Sequence, residues 1–172
     1  MSAQAASPWL SAAAATGTHR FVLLQIGQLC LMLPQHEIRA GESAADINPL
    51  VPRLPPQQGV GWLKSKNHIW PAYCLSEQLC VLHQTPQQRR ACVLLAVDGG
   101  FIGLLCDDAR VLKELEGSLF TLPDAMRLPN SPLIALLRHD GKLACVSNAA
   151  RLAAHIAQTG DDAASPQPLG LD

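Results

Sequence analysis

Residues 91–116, ACVLLAVDGGFIGLLCDDARVLKELE, set the tightest limit on what this chain can fold into. Two apolar runs meet at Asp98-Gly99-Gly100. Asp and Gly tolerate the positive φ of tight hairpin turns, so the segment reads as a β-hairpin. Val, Leu, Ile and Cys on both faces of each arm suit strands enclosed in a sheet or barrel. The signal recurs along the chain. Residues 21–33 (FVLLQIGQLCLML) divide into two short strands about Gly27, and Pro34 closes the second, because proline has no N–H to give a ladder. Residues 59–63 and 69–75 pair around the polar turn Lys64-Ser65-Lys66-Asn67-His68, and residues 133–137 return as 142–146 across Asp140-Gly141. Four hairpin signals predict an antiparallel barrel or a pair of barrels.

The connections carry less regular structure. Pro49, Pro52, Pro55 and Pro56 exclude a helix between residues 42 and 58 and indicate an extended link, and a second proline-punctuated link covers 123–132. A short helix is expected near 75–82, and VLKEL at 111–115 fits either a helical turn or a continuing strand. Residues 147–159 read as the closing helix: Ser147 caps it, Leu152 and Ile156 share a face, and Gly160 supplies the stop. Residues 1–18, rich in Ala and Ser, and 159–172 have the composition of flexible tails around a working domain at 19–158.

Composition removes several function classes. A chain of 172 residues, 48% hydrophobic, can bury a substantial core. Its 13 basic and 14 acidic residues are dispersed, and its seven aromatics offer no base-stacking platform, so nucleic acid is disfavoured as a partner. The six cysteines, Cys30, Cys74, Cys80, Cys92, Cys106 and Cys145, mostly lie within apolar runs and read as reduced core residues. No signal-peptide pattern opens the chain and no apolar run approaches the roughly 20 residues of a spanning helix, so a soluble cytoplasmic protein without direct membrane insertion is expected.

Chemistry-bearing clusters are thin. Cys74, Cys80 and His83 fall near one another, but Cys-x-x-Cys and paired-His spacings are missing, and no local signature selects a nucleophilic cysteine. No catalytic residue, metal or cofactor is expected; a cysteine-dependent enzyme or metal protein is the least supported alternative. Adjacent carboxylates Asp107 and Asp108 would point to opposite faces of a strand, with Asp107 capping a turn or pairing with Arg110. Trp62 and Trp70 read either as a packed cross-strand pair or as an exposed aromatic anchor beside Lys64 and Lys66. Glu37 and Arg39 would share a face of an extended segment, where a surface ion pair is the simplest role.

In order along the chain stand FVLLQIGQLCLML, HEIR, GVGWLKSKNHIWPAYCL, VLLAVDGGFIGLLCDDARVL and DGKLACVSNAARLAAHI. Together they resemble a CheW-like domain of the bacterial chemotaxis apparatus, over about residues 20–157. Glu37-Ile38-Arg39 is similar to that family's acidic-Ile-Arg element. Gly59, Val60 and Leu63 match its turn motif, Pro71 and Leu75 the strand after it, and Gly103, Leu104 and Asp107 the later hairpin. Trp62, Lys64, Ser65 and Cys74 stand where the family has Asn, Arg, Gly and Asp, and Lys64 keeps the charge of that Arg without its planar fork. The resemblance implies a mainly β fold of two intertwined, five-stranded SH3-like barrels. It implies a scaffold without enzymatic activity that binds the regulatory domain of a CheA-type histidine kinase and the cytoplasmic tips of chemoreceptors. Partner-binding residues implied are Glu37, Ile38, Arg39, Trp62, Lys64, Ser65, Lys66 and Trp70. The departures raise the alternative of an auxiliary adaptor for a divergent pathway, such as pilus motility, that binds kinase without receptor.

Overall fold

In the computed structural model, residues 20–43, 47–48, 59–65, 67–112 and 119–163 are described. The expected tail at 1–18, the stretch 49–58 and residues 113–118 lie outside these, apart from the positions given. The opening apolar run forms β1 (Phe21–Ile26) and β2 (Leu29–Pro34), paired across Gly27-Gln28. Then follow β3 (Ile38–Ser43), β4 (Ile47–Asn48), β5 (Gly61–Ser65), β6 (His68–Leu75) and β7 (Val81–Leu82). The Asp98-Gly99 turn joins β8 (Ala91–Val97) to β9 (Gly100–Cys106), and β10 (Asp108–Leu112) and β11 (Leu119–Thr121) come next. The last hairpin is β12 (Ala135–His139) and β13 (Lys142–Val146), and α1 (Ala149–Ala163) closes the fold. Asp140 at φ 49° and Gly141 at φ 70° make its two-residue turn left-handed at both positions, the geometry whose twist matches paired strands.

All four expected hairpins are present. The segment near 75–82 is not a helix but a tight turn leading into β7: Ser76 Oγ accepts the N–H groups of Gln78 and Cys80, and the Ser76 N–H donates to the Cys80 carbonyl at 2.8 Å. Local side-chain bonds to the backbone outcompete the helix there. The closing helix is capped by Asn148, whose Oδ1 accepts the Arg151 N–H at 2.8 Å, while the Ser147 hydroxyl turns to the Pro132 carbonyl. Gly160 does not stop it; α1 continues to Ala163.

Two sheets result. The first runs β10-β1-β2-β13-β12-β11, and the second β3-β8-β9-β6-β5-β4 with β7 on β6. Each contains one parallel pairing, β2 with β13 and β6 with β9. The first sheet is built from the two opening strands and the four closing ones, and the second from everything between, which is the intertwining the resemblance implies. Six and seven strands stand in place of five and five. Among the described residues the hydrogen-bonded order of each sheet ends at edge strands without closing a ring. Curvature nonetheless brings the first sheet close to a barrel. Arg110 on β10 and His139 on β12 lie four strand steps apart, about 19 Å on a flat sheet at ~4.8 Å per step, yet both border one cavity of about 70 Å³.

Burial on both faces follows. Phe21, Leu23, Met32, Leu137 and Val146 pack on the inner face of the first sheet, and Leu63, Cys74, Cys92, Leu94 and Leu105 on that of the second. A larger core, including Leu24, Leu31, Leu33, Leu95, Leu104 and, from α1, Leu152, fills the space between the sheets. The arms of β1, β2, β8 and β9 are apolar at nearly every position because alternate residues serve two different cores.

Polar contacts pin the junction. Asp107 sits where the chain leaves the second sheet for the first; its carboxylate accepts the Gly27 N–H at 2.8 Å and pairs with the buried Arg89, which also donates to the Leu75 carbonyl at 3.1 Å. Asp107 thus caps a turn, as one expectation had it, but its cation is Arg89; Arg110 lies 3.6 Å from Asp108 instead.

Candidate functional site

Backbone register decides which of the expected interface residues meet. In the β5–β6 hairpin Leu63 lies opposite Trp70, Trp62 opposite Pro71, and Ser65 opposite His68, so the polar connection shrinks to positions 66–67. Side chains alternate along a strand, so Trp62 and Trp70 occupy opposite faces. The expected cross-strand tryptophan pair is therefore not formed. Trp62 is half-buried on the face that carries Lys64 and Ile69, with its indole Nε1 buried and without a hydrogen-bond partner among the described residues. Lys64 is exposed opposite Ile69, itself 40% exposed. Lys66 lies outside the described residues, and of Ser65 only the backbone pairing is established.

Trp70 belongs to another cluster. His68, two residues along the same strand, stacks on it with centroids 5.6 Å apart and planes 14° from parallel. Phe101, at the start of β9, meets it edge-on at 5.1 Å and 73°. Gly100 lets them approach, since a Cβ there would stand 2.6 Å from a Trp70 ring carbon. Arg39 completes the row with its guanidinium carbon 5.9 Å from the Phe101 centroid. A β-bulge delivers it: Ile38 pairs with Leu95 and Ala40 with Leu94, leaving Arg39 as the extra residue, the usual way a bulge re-aims a side chain.

The result is a ridge, Arg39, Phe101, Trp70, His68, whose half-buried aromatic pair rests on the core of the second sheet. It joins two of the sequence-predicted residues, Arg39 and Trp70, through Phe101 and ends on His68, both of which sequence reasoning missed. Edge-on rings and an exposed cation over a ring contribute about 0.5–1.5 and 0.5–1 kcal/mol respectively. Such contacts hold the side chains in place, so a partner docking here would lose little rotamer freedom.

Glu37 and Ile38 have other tasks. Glu37 does not pair with Arg39: its Oε2 accepts the Ala149 N–H at 2.8 Å, placing negative charge at the start of α1. Ile38 is half-buried against the core between the sheets.

Burial holds three of the thiols protonated, which makes them poor nucleophiles. Burial first, and then the nearby Asp107 and Asp108 carboxylates, push Cys106 up to about 12. Burial also raises Cys74, against the lowering effect of Arg89, and raises Cys145. Among the described residues no three His, Cys, Asp or Glu side chains stand where they could share a metal ion, and no helix is long and apolar enough to cross a membrane.

No family model matches the chain, and no curated protein matches it. Solved structures do. The crystal structure of scaffolding protein TtCheW from Thermoanaerobacter tengcongensis is similar with a TM-score of 0.62 at 14% identity, over 78% of this chain and 92% of that one. At so low an identity the likeness is one of fold, and that fold is CheW-like.

Proposed function

We propose that this protein is a non-enzymatic CheW-like adaptor that holds a CheA-type histidine kinase, through its regulatory domain, to chemoreceptor tips in bacterial chemosensory signalling. It acts in the cytoplasm and without a cofactor. The carrying observation is a CheW-like fold spanning 92% of a scaffolding protein's chain. The ridge of Arg39, Phe101, Trp70 and His68 supports it: aromatic and Arg side chains, preorganised on a rigid sheet, are the composition of interface hot spots. Its work is positional, with no bond made or broken.

Calorimetry with the purified regulatory domain of a CheA-type kinase tests this. Saturable 1:1 binding is expected, weakened about tenfold or more by Phe101→Ala or Trp70→Ala, the scale of a hot-spot truncation. Absence of binding to any CheA-type regulatory domain from the same cell would overturn it. The β5–β6 hairpin favours a second reading, an auxiliary adaptor that binds kinase without receptor. Lys64 there offers a point charge beside Trp62 and Ile69, where the family places an Arg fork able to grip a carboxylate. Separate titrations with kinase domain and receptor tip distinguish the two.

A further inference from the structure

The two sheets repeat one pattern. Exchanging β1 to β6 for β8 to β13, strand for strand, turns the order β3-β8-β9-β6-β5-β4 into β10-β1-β2-β13-β12-β11, and each parallel pairing falls on the other. Register follows. Val97 opposite Gly100 becomes Ile26 opposite Leu29, Ala72 beside Gly103 becomes Val146 beside Met32, and Asn48 opposite Trp62 becomes Phe120 opposite Leu136. The β12–β13 hairpin is therefore the counterpart of β5–β6, and Arg138 opposite Leu143 the counterpart of Lys64 opposite Ile69. In both hairpins an exposed long cation faces an exposed aliphatic side chain.

Arg138 carries the planar fork that Lys64 lacks. On its face of the first sheet stand Leu143, 57% exposed, the half-buried Cys145, and, across Leu136, Phe120 at 47% exposed. Asp140, the carboxylate nearest along the chain, lies 3.4 Å from His139, whose side chain leaves the strand on the other face, and among the described residues no carboxylate pairs with Arg138. Exposed apolar side chains continuous with a core, with Phe and Arg among them, have the composition of an interface. The fork sets the chemistry of what docks: a carboxylate accepts its two parallel N–H groups, and an aliphatic neighbour covers the apolar side chains.

We propose that a chemoreceptor tip docks on this strip, with an aliphatic side chain over Leu143 and Phe120 and a carboxylate in the Arg138 fork. This rests on the adaptor reading, in which the ridge of the second sheet takes the kinase. An adaptor needs a separate surface for its other partner, and the strip, on the first sheet, is one with the matching composition.

The test titrates the ¹⁵N-labelled full chain with a soluble fragment spanning a chemoreceptor tip from the same cell and, separately, with the kinase regulatory domain. The receptor fragment is expected to give saturable shifts of the Phe120, Leu143 and Cys145 amides. Arg138→Gln and Leu143→Ser each weaken it about tenfold, the scale of a truncated interface anchor, and Arg138→Lys weakens it as well because the fork is lost. Both side chains are exposed, so all three variants keep the near-UV circular dichroism and the kinase-domain affinity of the wild type. The proposal is overturned if the fragment binds Arg138→Gln or Arg138→Lys undiminished, if it shifts the β5–β6 amides instead, or if the kinase domain binds and the fragment does not. That last result leaves the adaptor reading standing in its kinase-only form, whereas a kinase domain that fails to bind overturns the reading and the proposal together.

Discussion

Asp107 and Cys106 show how much two adjacent side chains at the sheet junction control. Breaking a buried pair strands the remaining charge, so Asp107→Asn is expected to destabilise the protein by about 3 kcal/mol in urea unfolding. The double variant Arg89→Met/Asp107→Leu, which leaves no charge behind, recovers much of that loss. Cys106 gives the fold a pH limit. Its thiol ionises near its ordinary 9.0 in the unfolded chain and only at about 12 in the native one. Unfolding above pH 9 therefore releases a proton, and the stability present below pH 9 is lost progressively as pH climbs towards 12, at most about 4 kcal/mol from this group. Cys74, Cys145 and Tyr73, also raised by burial, act in the same direction. The urea midpoint is expected to fall over this window and to fall less in Cys106→Val. At pH 8 a thiol reagent labels the exposed Cys80 well before Cys106. That Cys30, Cys74, Cys92 and Cys106 are core residues was legible from their apolar surroundings; Cys80, read the same way, is exposed on the turn before β7, and Cys145 is half-buried. The Arg89–Asp107 pair was not, because the two residues stand 18 positions apart on different connections and no local pattern links them.

Elements place the ridge, and parity within one hairpin explains what sequence reading missed. With only positions 66–67 outside the ladder, an even-numbered residue on β5 shares its face with odd-numbered residues on β6, so Trp62 could never face Trp70. Reading the turn as five residues concealed this. Phe101 was read as one more apolar residue of a hairpin arm; its place at the strand end, where the core runs out, is a property of register. Gly100 holds the ridge together at φ 152° beneath the Trp70 ring. Gly100→Ala is expected to cost about 1–2 kcal/mol, to alter the near-UV circular dichroism of Trp70, and to weaken kinase-domain binding with it. Unchanged spectra and affinity would show that the ring tolerates the added methyl group. The helix was legible as an element, from Leu152 and Ile156, while its start was not. Asn148 and Glu37 share that end while the Ser147 hydroxyl turns to Pro132, and Glu37 reaches it from 112 residues away in sequence.

Over the whole molecule, the first sheet cannot exist without residues 21–34, since β1 and β2 form its middle and pair with β10 and β13. The core between the sheets draws on both, so neither sheet buries its outer face alone. Urea unfolding is expected to be a single transition, with tryptophan fluorescence, which includes Trp62 and Trp70 of the second sheet, coinciding with far-UV signal from the entire fold. A variant beginning at residue 36 is expected to show no cooperative transition; two separate transitions in the full chain would show that the sheets are independent. Mainly β architecture and hairpin order were legible because each apolar run carries its own turn signal. The six-and-seven strand partition was not, because pairings such as β2 with β13 leave no trace in local sequence. This threading also bears on how the protein is made. When β1 and β2 leave the ribosome, the strands that flank them have yet to be synthesised, β10 lying more than seventy residues further on, and Leu24, Leu31 and Leu33 wait about forty further residues for Leu75 and Leu79, the first buried second-sheet members of their core. The opening hairpin must be sheltered or kept dilute for that interval, so yield in a cell should depend on translation speed and chaperone supply more than on the final stability of the fold.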